Sequence, residues 1–251
     1  MNFLQQIAHC LLILISVTLG AYRRERYDKR VNVFDSNGEL LQVQYADIAS
    51  MQGELLIAAI NADGNVLVCK QKTKQGVLLR SSTDHKISKI NDSVYVAYSG
   101  LLSDAKSLLS KAREYVSRIK SALDADAGIT ALATKLSELQ HSSTLAVGER
   151  PYGLNIILLG YDPPNASPKL FCMNASGNIR QSKGAIAIGK NSERALEQLE
   201  NFFSCEMSEK DMIALFKRIM LTCCDTTNRN NAEFDIFRLK KEGDLLTLPL
   251  L

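Results

Sequence analysis

The sequence has no tryptophan, only five prolines and only three histidines in 251 residues. Each shortage removes a class of chemistry. The six cysteines stand at 10, 69, 172, 205, 223 and 224. None of their spacings leaves the two-residue gap of a zinc ribbon, and there is little histidine to complete a set, so no metal site and no cofactor are expected. Cys223 and Cys224 lie in an apolar helical pattern and read as packing residues, and an even cysteine count argues little for disulfides in a chain of this length. A Ser–His–Asp arrangement would have to draw on His85 or His141, yet no serine occupies a Gly-x-Ser-x-Gly elbow. Asp84-His85 reads as a turn or strand edge, and Ser142-Ser143-Thr144 as a loop before Arg150. The phosphate-cradling Gly-x-x-x-x-Gly-Lys-Ser/Thr is missing, and Gly184–Gly189 lies in strand-like apolar surroundings. No Gly-Thr dipeptide occurs. The formal charge of +3 is too small to imply a nucleic-acid partner. One basic run, Arg23, Arg24, Arg26, Lys29 and Arg30, suits a solvated tail, a partner contact or the flank of a membrane segment.

What is present is ordinary for a globular chain. An apolar fraction of 46% and a charged fraction of 23% allow a sizeable core in one large domain or two small ones. The N-terminus stands apart. Leu11–Ala21 is an apolar run followed by basic residues, with no Lys or Arg before it. Three readings stay open for residues 1–21: a mis-chosen start codon, a lineage-specific extension packed as a helix, or a signal. Stretched over 3–22, the run approaches the length of a membrane span. Triplets at Asn91, Asn165 and Asn174 match the glycosylation pattern, which arises often by chance.

Beyond the leader the pattern alternates strands and helices. Leu55–Ile60 and Val66–Cys69 flank Asn-Ala-Asp-Gly-Asn, a hairpin signal. Ile87–Ile90 and Val94–Gly100 form a further pair. Apolar residues recur at helical spacing from Leu102 to Leu123, with Ser103 at the start, and a second helix is expected near Thr130–Gln140. Strands follow at Tyr152–Tyr161, Pro168–Asn174 and Ala185–Gly189. Helices are then expected at Ser192–Phe203 and at Ser208–Thr222, where Ser208 is a good N-cap with acids behind it, before a last strand at Glu233–Leu239. These continuous apolar strands imply sheets covered on both faces, and the residues alone give an α+β class in one domain.

The most specific stretch is Tyr27–Ala49. Asp35-Ser36-Asn37-Gly38 is a turn sequence, and the apolar positions after Leu40 suit a short amphipathic helix. Tyr27, Asp28, Phe34, Gly38, Leu40, Gln42, Val43, Tyr45 and Ala46 fall in order on the signature that opens proteasome alpha subunits, and Lys29 stands for its first arginine. Further elements agree. Gly100, Asp104 and Ala105 resemble the family's Gly-x-x-x-Asp-Ala-Arg, with Lys106 in place of arginine. Arg150-Pro151-Tyr152-Gly153 resembles its Arg-Pro-Phe/Tyr-Gly, followed by Leu-Leu-Gly-Tyr-Asp at 158–162. Asn174–Gly177 resembles Asp-Pro-Ser-Gly, and Ala187-Ile188-Gly189 its Ala-Ile-Gly. The stretches around Val66–Val68, Arg150–Gly153 and Gly160–Asp162 lean toward the alpha-6 type.

The resemblance covers roughly residues 22–245. It implies a four-layer α-β-β-α sandwich of the Ntn-hydrolase type, with residues 22–251 as a single domain carrying an N-terminal gate tail and helix. It implies a non-catalytic structural subunit of the 20S core particle. Catalytic beta subunits use an N-terminal threonine, whose free amine acts as its base. Here the corresponding strand begins at Gly53-Glu54-Leu55, without a hydroxyl, and Tyr27–Ala49 precedes it. The implied partners are other alpha subunits in a seven-membered ring, beta subunits, and a regulatory particle or other activators. No membrane partner is expected, and the implied location is cytoplasmic and nuclear. Tyr27, Asp28, Lys29 and Tyr45 match gate and ring-contact positions. The lysine that pairs with an activator's C-terminal carboxylate falls on Gln71, between Lys70 and Lys72, a departure from the family pattern. Two rival classes are a secreted or membrane-anchored α+β binding domain and a homomeric Ntn-fold protein outside the proteasome.

Overall fold

The structure is a computed structural model that describes residue 13 and residues 30–71, 86–162, 167–223, 234–240 and 245–248. The expectations for Tyr27, Asp28, Lys29, Lys72, Asp84, His85, Asn165 and Cys224, and for the leader apart from Ile13, lie outside the described residues. No described helix is long and apolar enough to cross a membrane.

The first described turn is held by Asp35, whose Oδ1 accepts from the Asn37 and Glu39 amides at 2.8 and 2.9 Å, and Gly38 closes it. Helix α1 (Leu41–Met51) follows. Strands β1 (Leu56–Ile60) and β2 (Val66–Gln71) then pair antiparallel from Leu56↔Lys70 to Ile60↔Val66, around the expected turn. Next come β3 (Ile87–Lys89), β4 (Val94–Gly100), α2 (Leu102–Leu123) and α3 (Ile129–Leu145). The second half runs β5 (Leu154–Asp162), β6 (Ser167–Met173), β7 (Ile179–Gln181), β8 (Ala185–Ile188), α4 (Ser192–Phe202), α5 (Glu209–Cys223), β9 (Phe234–Leu239) and β10 (Leu245–Leu248).

The strands form two five-stranded sheets, in the orders β10-β9-β2-β1-β8 and β3-β4-β5-β6-β7, and every pairing is antiparallel. Side-chain alternation turns them into a sandwich. In β1 and the residue before it, Leu55, Ile57 and Ala59 face α4 and α5, while Leu56 and Ala58 face the other sheet. In β4, Val94, Val96 and Tyr98 face α2 and α3, while Tyr95 and Ala97 point inward. Strands that bury both faces read as unbroken apolar runs, which is how they read in the sequence. The layers are therefore α4/α5, sheet, sheet, α2/α3.

Two local expectations need correction. Helix α3 does not stop at Gln140. Ser142, Ser143 and Thr144 continue it, because their hydroxyls donate to the carbonyls of Glu138, Gln140 and His141 at 2.6, 2.6 and 2.7 Å. The strand set also gains two short edge members, β7 and β10, beyond the strands expected from the sequence. The expected cap of α5 is present: Ser208 Oγ accepts the Asp211 amide at 3.3 Å and donates to its carboxylate at 2.7 Å.

Tyr161 ties the sheets together. From β5 its phenol reaches the carbonyls of Gly64 and Leu239 in the opposite sheet, both at 3.1 Å. Burial, opposed by a hydrogen bond from the Val66 backbone, pushes this phenol up to about 12. The folded state thus favours the protonated form. Its contribution is whole below about pH 10, the ordinary tyrosine value, and is lost as pH climbs toward 12. Tyr161→Phe is expected to cost about 1–2 kcal/mol in urea unfolding at pH 7, and the wild-type stability alone should show this alkaline loss.

Candidate functional site

The motif residues spread through the sequence meet at one end of the sandwich. Arg150, just before β5, grips Asp104 in the first turn of α2: Nη1 donates to Oδ2 and Nη2 to Oδ1, both at 2.6 Å. The same carboxylate accepts the Gly153 amide at 3.0 Å, and the Gly153 carbonyl accepts the Leu101 amide at 3.0 Å. Asp104 is 6% exposed, while the Arg150 side chain keeps 58% of its surface in water. Burial pushes the Asp104 carboxyl up, but Arg150, the Gly153 amide and Ser103 outweigh it and hold the group below the usual carboxylate value. A fork-to-fork pair of this kind is strong and directional. Pro151 adds a carbonyl that accepts from Arg150 at 3.1 Å.

Backbone packing explains the glycines. Gly100 has φ +115°, and a Cβ there would lie 2.1 Å from the Gly153 carbonyl oxygen. Gly189 has φ +93°, and its Cβ would lie 2.1 Å from the Glu54 carbonyl oxygen. Only glycine fits either place. A Cβ on Gly53 would come within 2.2 Å of the Gly100 amide nitrogen, and the Lys190 amide donates to the Gly53 carbonyl at 2.8 Å. Ser99 Oγ fills what space remains, donating to the carbonyls of Glu54 at 3.0 Å and Ser50 at 3.4 Å.

This crowding lies at the entry to β1. The chain enters β1 directly from α1, which packs across β4 and β5. No chain terminus, free amine or side-chain hydroxyl is part of Gly53-Glu54-Leu55, and a Cβ cannot be added at Gly53 without moving backbone. The arrangement holds segments together.

The remaining candidates lie elsewhere. Tyr45 is on the outward side of α1, where it forms an apolar stripe with Ile48 and Met51, exposed by 37%, 56% and 42%. Gln42 is half-buried on the same helix. Lys70 is not a solvated strand end. It is buried in β2, and its ammonium lies 3.7 Å from the carboxylate of Asp235, its register partner on β9. Gln71 is half-buried beside Phe234. A lysine the sequence reading passed over, Lys86, is half-buried before β3, with its ammonium 5.5 Å from the centre of the Tyr98 ring.

One constellation resembles a catalytic set. Thr130 Oγ1 donates to Asp162 at 2.7 Å, and the Lys169 ammonium lies 2.7 Å from that carboxylate. The Thr130 amide also donates to Asp162 at 3.4 Å, so the carboxylate serves as a remote cap for α3, whose own Gly128 has no capping side chain. Burial raises the Asp162 carboxyl, and Lys169 and Thr130 bring it below its usual value. Among the described residues no group of His, Cys, Asp and Glu is placed to hold a metal. Of the described triplet asparagines, Asn91 donates to the Ala127 carbonyl at 2.9 Å, and Asn174 accepts from Ser176 and Asn178, so both are built into turns.

Comparison with known proteins agrees with this layout. A family model described as proteasome subunit matches residues 50–238. Similar relatives include proteasome subunit alpha type-3 of Saccharomyces cerevisiae, 30% identical over 210 residues, covering 84% of this chain and 80% of the relative. Alpha type-7 of Cicer arietinum is 29% identical over 223 residues, covering 89% and 87%. Alpha type-4 of Saccharomyces cerevisiae is 28% identical over 225 residues, covering 88% and 87%.

Asp104→Asn is expected to cost about 1–3 kcal/mol at pH 7, because Arg150 and the Gly153 amide lose an ionised acceptor. The lowered Asp104 pKa means its contribution is present above the ordinary value of 3.8 and is lost as pH falls through the folded-state value. Unfolding curves of the two proteins should therefore converge in acid.

Proposed function

The chain belongs to the proteasome subunit family, with alpha-type subunits as its relatives, and from that premise we propose that it is a structural subunit of the 20S core particle. It stands in the outer ring without catalytic chemistry of its own. There it gates substrate entry and receives activators for ATP- and ubiquitin-dependent protein degradation. One observation carries this reading: α1 leads into β1 and packs its last turn onto Gly100 and Gly153, and the stretch Gly53-Glu54-Leu55, which the resemblance sets against the nucleophile's strand, has neither a chain terminus nor a side-chain hydroxyl. A structural part of a threonine-protease complex needs only the fold and its contact surfaces.

The partners are other alpha subunits in a seven-membered ring, beta subunits on its inner side, and a regulatory particle or other activators on its outer side. The cytoplasm and nucleus are the compartments that fit such an assembly. The Tyr45–Ile48–Met51 stripe is a large apolar exposure on one helix face, and it supports a ring contact there. Tyr27, Asp28 and Lys29 are assigned to the gate, where a carboxylate and a phenol from neighbouring tails form hydrogen bonds that depend on ring geometry. For activator docking, burial and the Asp235 pair remove Lys70 from reach, and Gln71 has no charge. Lys86, half-buried with its ammonium over the Tyr98 ring, is the better partner for an incoming carboxylate. The relatives span types 3, 4 and 7 at nearly equal identity, so a type-6 position rests on a few short stretches alone.

Native size fractionation of cell extract followed by intact mass spectrometry tests the reading. The chain should run in one very large complex with other alpha and beta subunits. A small glycosylated species cut near Ala21 sinks the assignment. Within assembled particles, Lys86→Ala should abolish stimulation of peptide hydrolysis by an activator's C-terminal peptide. Lys70→Ala should instead lower thermal stability and leave stimulation intact. Tyr45→Ala combined with Ile48→Asp should reduce incorporation into the complex several-fold, as expected for burying a charge in an apolar contact.

A further inference from the structure

The turn that leads into α1 carries the chain's one Asn-Gly dipeptide. Of fifteen asparagines, only Asn37 is followed by glycine. Asn37 and Gly38 are both exposed, and a Cβ built on Gly38 would meet nothing beyond its chain neighbours within 4 Å, so the peptide link between them is open to water. No described residue bonds the Asn37 side chain. Asn61, Asn91, Asn174 and Asn191 are each tied by a side-chain hydrogen bond. The Gly38 amide donates to the Asp35 carbonyl at 3.2 Å, the long end of the usual range. Gly38 has no side chain to screen its nitrogen. A bond from that nitrogen to Asn37 Cγ closes an unstrained five-membered ring, with both reacting atoms already held on neighbouring residues.

We propose that Asn37 is a site of spontaneous deamidation, and that the reaction loosens the entry to α1. Hydroxide takes the proton of the Gly38 amide, and the nitrogen lone pair attacks Asn37 Cγ. The Cγ–Nδ2 bond breaks, and Nδ2 leaves as ammonia with a proton drawn from water, which restores the hydroxide. Water then opens the cyclic imide at either of its carbonyls. One opening gives aspartate. The other gives isoaspartate, in which the main chain runs through Cβ and Cγ. The new carboxylate falls between Asp35 and Glu39, a like-charge crowding that exposure and salt screen. Isoaspartate does more, because it lengthens the main chain by a carbon inside a closed loop. Every described hydrogen bond that closes this loop involves Asp35. Its amide donates to the Glu39 carbonyl at 2.9 Å, and its Oδ1 accepts from the Asn37 and Glu39 amides at 2.8 and 2.9 Å. Helix α1 has Leu40 at its cap position and no capping side chain of its own to replace them.

The test uses the tagged full chain, purified in the assembly it occupies and aged in mildly alkaline buffer. Mass spectrometry reads the turn peptide for replacement of the amide by a carboxyl, with fragmentation that distinguishes aspartate from isoaspartate. Both products are expected at position 37, while Asn174, whose Oδ1 is bonded within its own turn, keeps its amide. Asn37→Gln should lower conversion about tenfold or more, because its amide must close a larger ring. Asn37 is not at positive φ, so the turn accepts glutamine. Mildly acidic buffer should slow conversion about tenfold as well. In hydrogen exchange, the Glu39 amide of the aged, isoaspartate-bearing chain should exchange about threefold faster or more. Fresh Asn37→Asp, which adds the charge and not the carbon, should stay close to the unaged chain. An amide left intact at position 37, aspartate without isoaspartate, or equal loss at Asn174 overturns the site. Unchanged exchange at Glu39 after ageing, or the same rise in fresh Asn37→Asp, overturns the loosening.

Discussion

Backbone meets backbone at one end of this sandwich, at distances that leave no place for a side chain. Gly53, Gly100 and Gly189 belong to three separate stretches of sequence, and each comes against the main chain of another stretch. The rest of the architecture depends on that contact. It sets where β1 begins relative to where β4 ends, and so how the two sheets stack. It also fixes the first turn of α2, through Leu101 and Asp104. The Asp104–Arg150 fork then acts as a bolt across the same point. Its energy comes mostly from not leaving a buried carboxylate unsatisfied.

Much of this was legible from residue order. The hairpin around Asp63-Gly64, the long α2 and the Ser208 cap follow from local rules that hold wherever they occur. The four layers came from the family resemblance, since pattern alone ends at α+β. The structure then supplies the mechanism: successive residues of β1 and β4 serve two different cores.

What stayed hidden was non-local or self-satisfied. Lysine at a strand end normally means water, and nothing near Lys70 in sequence announces Asp235 as its partner. Ser142–Thr144 looked like a loop because hydroxyl residues favour turns, yet each returns its proton to a carbonyl of its own helix. The strand β7 is three residues long, with Arg180 and Gln181 facing solvent, so it has no apolar signature. Asp162 caps a helix that begins far from it in the chain, which no window-based reading finds. Of the candidate site, the structural half could be read as a set of motifs. The surface half depends on what neighbouring subunits bring.

Helix α1 has two sides with opposed duties. Its inner side packs across β4 and β5, and its outer side carries Tyr45, Ile48 and Met51. A hydrolase made from this chain would require removing everything ahead of β1 to liberate a new terminus, and that cut would also delete the outward stripe. Division of labour between scaffold and protease is thus written into a single eleven-residue helix. No point substitution reverses it, because the same eleven residues cannot both carry the stripe and be removed ahead of β1.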